Sequence, residues 1–225
     1  MKYRYIQNFL RILTTGLFTG FPVILSGQTN SDGSMPQYLF KEFNKCEVRM
    51  KNGQIQSSLM NYNVVTERMV FFRDNKYYDM TNLDMTDTVY LNDSKFVPLE
   101  KIFYEVLLTG PVDLFVQHKG NLLPPGKPVG YGGTSQVASA NYISSVELST
   151  GYYNLPLPSD YIVNVSPVYW IRRNNEMFSF TNEKQLLKLF PDKADEIKEF
   201  IRKNRLKVDR HADLIQIVSY SSSLK

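Results

Sequence analysis

The stretch CEVRMKNGQIQSSLMNY, residues 46–62, holds the strongest local folding signal in the chain. Cys46–Met50 and Ile55–Tyr62 are short β-favouring runs, and Lys51-Asn52-Gly53-Gln54 lies between them. Asn-Gly in that position predicts a hairpin with a type I′ turn, because both residues accept positive φ. The same grammar repeats downstream. Met69–Arg73 and Tyr77–Met80 flank Asp74-Asn75-Lys76, and Thr88–Leu91 and Lys95–Val97 flank Asn92-Asp93-Ser94. Ile102–Thr109 and Val112–His118 meet at Gly110-Pro111. Further extended runs fall at Tyr152–Asn154, Tyr161–Val165 and Val168–Arg173, and Asn174-Asn175 turns the last of these into Met177–Phe180. Short strands at regular spacing predict an antiparallel sheet, rolled or packed as a sandwich or partial barrel.

The period changes after Phe180. Asn182 and Gln185 form an Asn-x-x-Gln capping pattern ahead of Leu186, Leu187, Leu189 and Phe190, and Pro191 stops that helix. Asp192 is expected to cap a second helix with the stripe Ala194, Ile197, Phe200, Ile201, and Asp209 a third with Leu214, Ile217, Val218. Such stripes have to be buried, so the helices are expected to dock on the sheet. The fold class expected is α+β and β-rich, with residues 28–181 as the β-rich domain and 182–225 as a helical segment on the same domain.

Residues 1–27 have the parts of a secretory signal peptide: a basic start (Lys2, Arg4, Arg11), an apolar stretch from Ile12 to Leu25, and small residues Ser26 and Gly27 before Gln28. The apolar stretch is shorter than a membrane span needs. Residues 28–36 are polar and turn-rich, and read as a mobile lead-in. Taking the three basic residues of the leader from 26 leaves 23 against 22 acidic residues, a net of +1. That balance argues against nucleic-acid binding. The charged tail, residues 183–210, interleaves both signs, as a solvated helix face does.

Catalytic signatures are scarce. The chain has two histidines, His118 and His211, and a single cysteine, Cys46. No His-x-x-x-His or Cys-x-x-Cys spacing occurs, so the zinc-ligand patterns are absent and no metal or cofactor is expected. Cys46 with a histidine is the least poor nucleophile–base pair for a hydrolase or transferase, although a small core residue is the simpler reading. His118 is expected at a strand rim, and His211 facing solvent in a first helical turn. Gly120–Lys127 fails as a phosphate loop, having the wrong spacing and Pro128 where a hydroxyl belongs. The long segment 119–150 is interrupted by prolines and glycines, and within it Tyr131, Gly132, Gly133, Thr134 and Ser135 are the best ligand-binding candidates. Two adjacent glycines let a backbone approach a ligand while the hydroxyls hydrogen-bond it; a plain tight turn is the alternative. Trp170 and Arg172, alternating with Tyr169 and Ile171, suit either sugar stacking or a half-buried strand.

The leader, the run YLFKEF, the hairpin MKNGQIQSSLMNYN, the loop GYGGTSQ and the tail NEKQLLKLFPDKADEIKEFIRKNRLKV together resemble uncharacterised exported proteins of Bacteroidota. The resemblance covers most of the chain. It implies an envelope location, periplasmic or extracellular, and brings no catalytic residues with it. Asp87-Thr88-Val89 is similar to the O-glycosylation acceptor of these bacteria, with an ordinary strand start as the alternative. The function expected is a non-enzymatic module that binds a glycan, a peptide or a partner envelope protein, with no membrane span in the mature chain. A hydrolase or transferase is the alternative.

Overall fold

Short runs of β-branched, aromatic and other apolar residues make the strands, and the turn residues decide where each reverses. In the computed structural model, which describes residues 35–123, 127–129, 133–135 and 162–224, ten strands form one antiparallel sheet. They are β1 (Asn44–Met50), β2 (Ile55–Asn63), β3 (Arg68–Arg73), β4 (Lys76–Asp79), β5 (Thr86–Leu91), β6 (Ser94–Leu99), β7 (Ile102–Leu108), β8 (Asp113–Leu123), β11 (Ile162–Arg173) and β12 (Glu176–Phe180). The spatial order is β12-β11-β8-β7-β6-β5-β1-β2-β3-β4. Between β8 and β11, β9 (Lys127–Val129) and β10 (Gly133–Ser135) pair as a separate two-stranded ladder. The expected leader and the run Tyr152–Asn154 lie outside the described residues.

The hairpins expected from the sequence form, with one change of turn. Asp74 and Asn75 take φ of 50° and 60°, and Asn174 and Asn175 take 51° and 65°, as two-residue type I′ connections require. At the first hairpin only Gly53 is left-handed, at φ 84°. Asn52 instead accepts from Gln54 N through its side chain (3.0 Å), while Met50 N donates to Gln54 O (2.8 Å). That four-residue loop therefore replaces the expected type I′ turn. The described part of the expected run Tyr161–Val165, from Ile162, and Val168–Arg173 merge into one strand, β11, running through Pro167. This is tolerated because β12 pairs only with Tyr169–Arg173, so β11 is an edge where the proline sits.

Cross-strand partners share a face. Phe180, Tyr169, Val116, Glu105, Phe96, Val89 and Val48 stand opposite one another in turn, so a single face carries the whole core. One half of that face, with Cys46, Met60, Tyr62, Met69, Leu91 and Phe103, is packed by the sheet's own curl. The tip of the β2–β3 hairpin reaches β8: Gly120 N donates to Val64 O (2.7 Å), Gln117 Nε2 donates to Glu67, and Tyr62 Oη donates to Phe103 O of β7 (3.4 Å). Of the expected alternatives, the fold is thus the rolled sheet; it stays open, since β4 and β12 are unpaired edges.

The helices α1 (Glu183–Lys188), α2 (Ala194–Asn204) and α3 (His211–Ser223) cover the other half of the same face. Leu186, Ile197, Ile201, Leu214, Ile217 and Val218 pack with Leu114, Val116, Tyr169, Ile171 and Phe180. The α1 cap forms as read: Asn182 Oδ1 accepts from Gln185 N (2.9 Å), and Gln185 Oε1 accepts from Thr181 N (2.8 Å). The other two caps do not. Lys193 and Arg210 hold the N-cap positions without a side-chain capping hydrogen bond, Asp192 lies in a preceding 3-10 turn, and Asp213 rather than Asp209 bonds locally, to Lys207 N (2.9 Å). Phe200 departs from the buried stripe and stacks on Tyr220 of α3 at 4.0 Å.

Residues 35–43 cover the outer face of β2–β4. Buried Asn61 holds them, accepting from Phe40 N (3.1 Å) and donating to Phe40 O (2.7 Å) and Glu42 O (3.0 Å). Phe43 then meets Tyr38 and Tyr77 at 4.9 and 5.1 Å. Of the expected lead-in, 28–36, residues 28–34 lie outside the described residues; just after it, the Gln37 carbonyl accepts from Val64 N (2.9 Å).

Candidate functional site

A groove of about 710 Å³ opens beside β1, β2, β3, β4 and the segment 80–82 that leaves β4. Its buried and half-buried members are mostly apolar or aromatic, Val48, Met50, Met60, Phe71, Phe72, Tyr78 and Met80, with Ser58 and Asp79 the polar ones. Its exposed members are mostly polar: Gln56, Ser57, Arg73, Thr81 and Asn82. The local cause lies in β2. Gln56, Ser58 and Met60 share the core-facing parity, and Ser58 stands opposite Cys46. Ser58, which lines the groove, is a small side chain where large apolar residues fill this face elsewhere. Phe71 and Tyr78, cross-strand partners, stack at 5.2 Å and 17° to form one wall. Asp79 belongs to the same lining; burial raises its carboxyl pKa, against the lowering effect of Arg68, whose Nη1 donates to it (3.1 Å).

A second constellation sits where the two halves of the core meet. His118 Nε2 donates to Glu105 Oε2 (2.6 Å), and Ser94 Oγ donates to Glu105 Oε1 (2.6 Å). His211, the first residue of α3, places its ring 6.2 Å from that of His118 and edge-on to Tyr169 at 5.8 Å. Burial pushes the Glu105 carboxyl up, but the hydrogen bonds from His118 and Ser94 outweigh it and hold the group below its ordinary value. His118 is 7 % exposed, so the rim position expected for it is wrong: Gly120 and the docked hairpin extend the covered sheet beyond it. His211 is half-buried, contrary to the solvent-facing expectation, because the apolar face of α3 starts one turn later and draws the helix onto the sheet. Among the described residues no group of three or more His, Cys, Asp or Glu is arranged to hold a metal ion.

The residues picked out by sequence are distributed differently. Tyr131 and Gly132 lie outside the described residues. Gly133, Thr134 and Ser135 form β10, opposite Val129, Pro128 and Lys127. Trp170 and Arg172 do share a face, with Tyr169 and Ile171 buried behind them. Both side chains have internal partners: Trp170 Nε1 donates to Gln117 Oε1 (2.9 Å), and Arg172 donates twice to Asp113 Oδ2 (3.0 and 2.7 Å) above the Phe115 ring. These contacts favour the half-buried-strand reading over sugar stacking. Cys46 is 3 % exposed, and burial pushes its thiol up to about 11, so it is not an activated nucleophile. Thr88 is 4 % exposed and donates to Asp87 Oδ2 (2.8 Å), which makes it a strand residue rather than an accessible acceptor in the folded protein.

Sequence reasoning missed the groove and the histidine contact. The polar Gln56 and Ser58 on the inward parity of β2 were a readable signal for the first. The second had none, since no local pattern joins His118 to His211. Among the described residues no helix is long and apolar enough to cross a membrane. No protein-family model matches the chain, and no significant match was found among curated proteins or solved structures.

Proposed function

We propose that the protein is a non-enzymatic binding module whose groove takes a peptide segment of a partner protein through apolar side chains. The observation that carries this is the lining of the groove: Met50, Met60 and Met80 around the stacked Phe71–Tyr78 pair, inside an exposed polar border. Methionines adapt their shape to varied apolar side chains, and a few polar groups at the rim orient the chain that carries them. The short edge strand β4 borders the groove, and an extended peptide can follow such an edge.

The test is selection from a displayed random-peptide library. Peptides with apolar anchors are expected to be enriched, and to lose binding to Ser58→Trp, which fills the groove, while the melting temperature stays unchanged. No enrichment, or equal binding to the filled variant, refutes the reading. We further propose that the protein acts outside the cytoplasm after losing about 27 residues as a signal peptide. Mass spectrometry of the envelope fraction checks this, and an intact N-terminus recovered only from cytoplasm refutes it.

A further inference from the structure

The polar seam between the two halves of the core has no part in groove binding. It joins β6, β7 and β8 of the sheet to the start of α3. Glu105 already has two partners, His118 and Ser94. His211 has ring contacts with His118 and Tyr169 but no hydrogen bond among the described residues. The Tyr169 hydroxyl beside it is also buried without a partner. Helix α3 begins at this point without a side-chain cap, on Arg210. Its hold on the sheet therefore starts at Leu214, with Ile217 and Val218 following. The turn that precedes this apolar hold is the one that carries the titratable ring.

We propose that this seam is an acid-responsive latch: protonation of His211 loosens the first turns of α3 from the sheet and exposes the apolar surface beneath. Four local effects act on the charged ring. Burial opposes it, the positive end of the α3 dipole opposes it, and His118 repels it when charged, whereas Glu105 attracts it but is already engaged. Tyr169 and Tyr62 are the other titratable groups at the seam, with Asp209 just before the helix and Asp213 committed to Lys207. Burial, with His118, holds the His211 imidazole below its ordinary value despite Glu105. In the window below that ordinary value, the unfolded or detached chain thus binds more protons than the docked one, and stability falls as pH falls. Glu105, also held low, keeps its charge through this window and loses its contribution only at more acidic pH. The His211 contribution is therefore lost at higher pH than the Glu105 one.

The chain has two histidines, so their ring protons can be assigned in proton NMR with His211→Gln. The expected result is a His211 titration below the ordinary imidazole range. Amide exchange in α3, corrected for intrinsic rate, should speed up severalfold more than exchange in β7 and β8 between pH 7 and about 5.5. In His211→Gln that difference should vanish. A His211 titration at or above the ordinary value overturns the proposal by itself, and needs only the wild-type protein to fold. Equal acceleration of α3 in variant and wild type, or uniform acceleration across sheet and helix, overturns it as well.

Discussion

Replacing Gly120 by alanine tests how the sheet curls. A Cβ at Gly120 would lie 2.6 Å from Val64 Cγ2, 3.2 Å from Val64 Cβ and 3.1 Å from Val163 Cγ1. Carbon atoms rest at about 3.5–4.0 Å, so Val64 has to retreat by roughly 1 Å. It has little room to do so: it is fully buried, its χ1 is stiff, and its carbonyl is held by Gly120 N at 2.7 Å. Gly120 itself is not in the left-handed region, so the substitution carries no backbone strain. Overpacking of this kind costs about 1–3 kcal/mol, and the stiffer unfolded chain returns about 0.4–1 kcal/mol. The net expectation is a loss of about 1–2 kcal/mol, read as a midpoint shift in urea or a Tm lower by roughly 2–8 °C. Val64→Ala removes the opposing methyls, so the double variant should be more stable than the sum of the two single losses predicts, by at least about 0.5 kcal/mol. A Gly120→Ala protein as stable as wild type, or strict additivity with Val64→Ala, refutes the idea that this contact closes the curl.

Truncation after Phe180 strips Leu114, Val116, Tyr169, Ile171 and Phe180 of their cover. At roughly 1.5–3 kcal/mol per side chain the loss is comparable with the whole stability of a domain, so the truncated protein should not melt cooperatively; an unchanged Tm refutes the docking. Asn182→Ala removes the one side-chain cap seen among the helices and should cost about 1 kcal/mol in urea denaturation, whereas Asp192→Ala and Asp209→Ala, which cap nothing, should stay within about 0.5 kcal/mol.

The hairpins were legible because turn chemistry is local. Asp74-Asn75 and Asn174-Asn175 state their own φ preference. Where one local rule competed with another, the reading slipped. Asn52 satisfied its turn through its side chain rather than a positive φ, and Asp192 and Asp209 lay one residue short of the cap positions. His118 and His211 were misplaced for a different reason: burial is a property of what arrives from elsewhere. His118 is covered because residues of β2, β6 and α3 pack around its ring, and nothing within several residues of it announces them. Trp170 and Arg172 were placed on the right face, yet their partners Gln117 and Asp113 belong to β8, so whether they bind outward or inward was not readable.

Taken alone, the sequence determined most of the strand and helix order, the face shared by Trp170 and Arg172, the α1 cap and the docking of an apolar helical tail. Each follows from backbone preference or side-chain period within a few residues. The tertiary structure decided that the sheet stays open and curls until the β2–β3 tip meets β8, that Ser58 and Cys46 face each other beside a groove, and that Glu105, His118 and His211 meet at one seam. Those features depend on the twist accumulated over ten strands and on which distant surfaces it brings together. A sum of small rotations along the whole sheet leaves no mark on any short stretch of sequence.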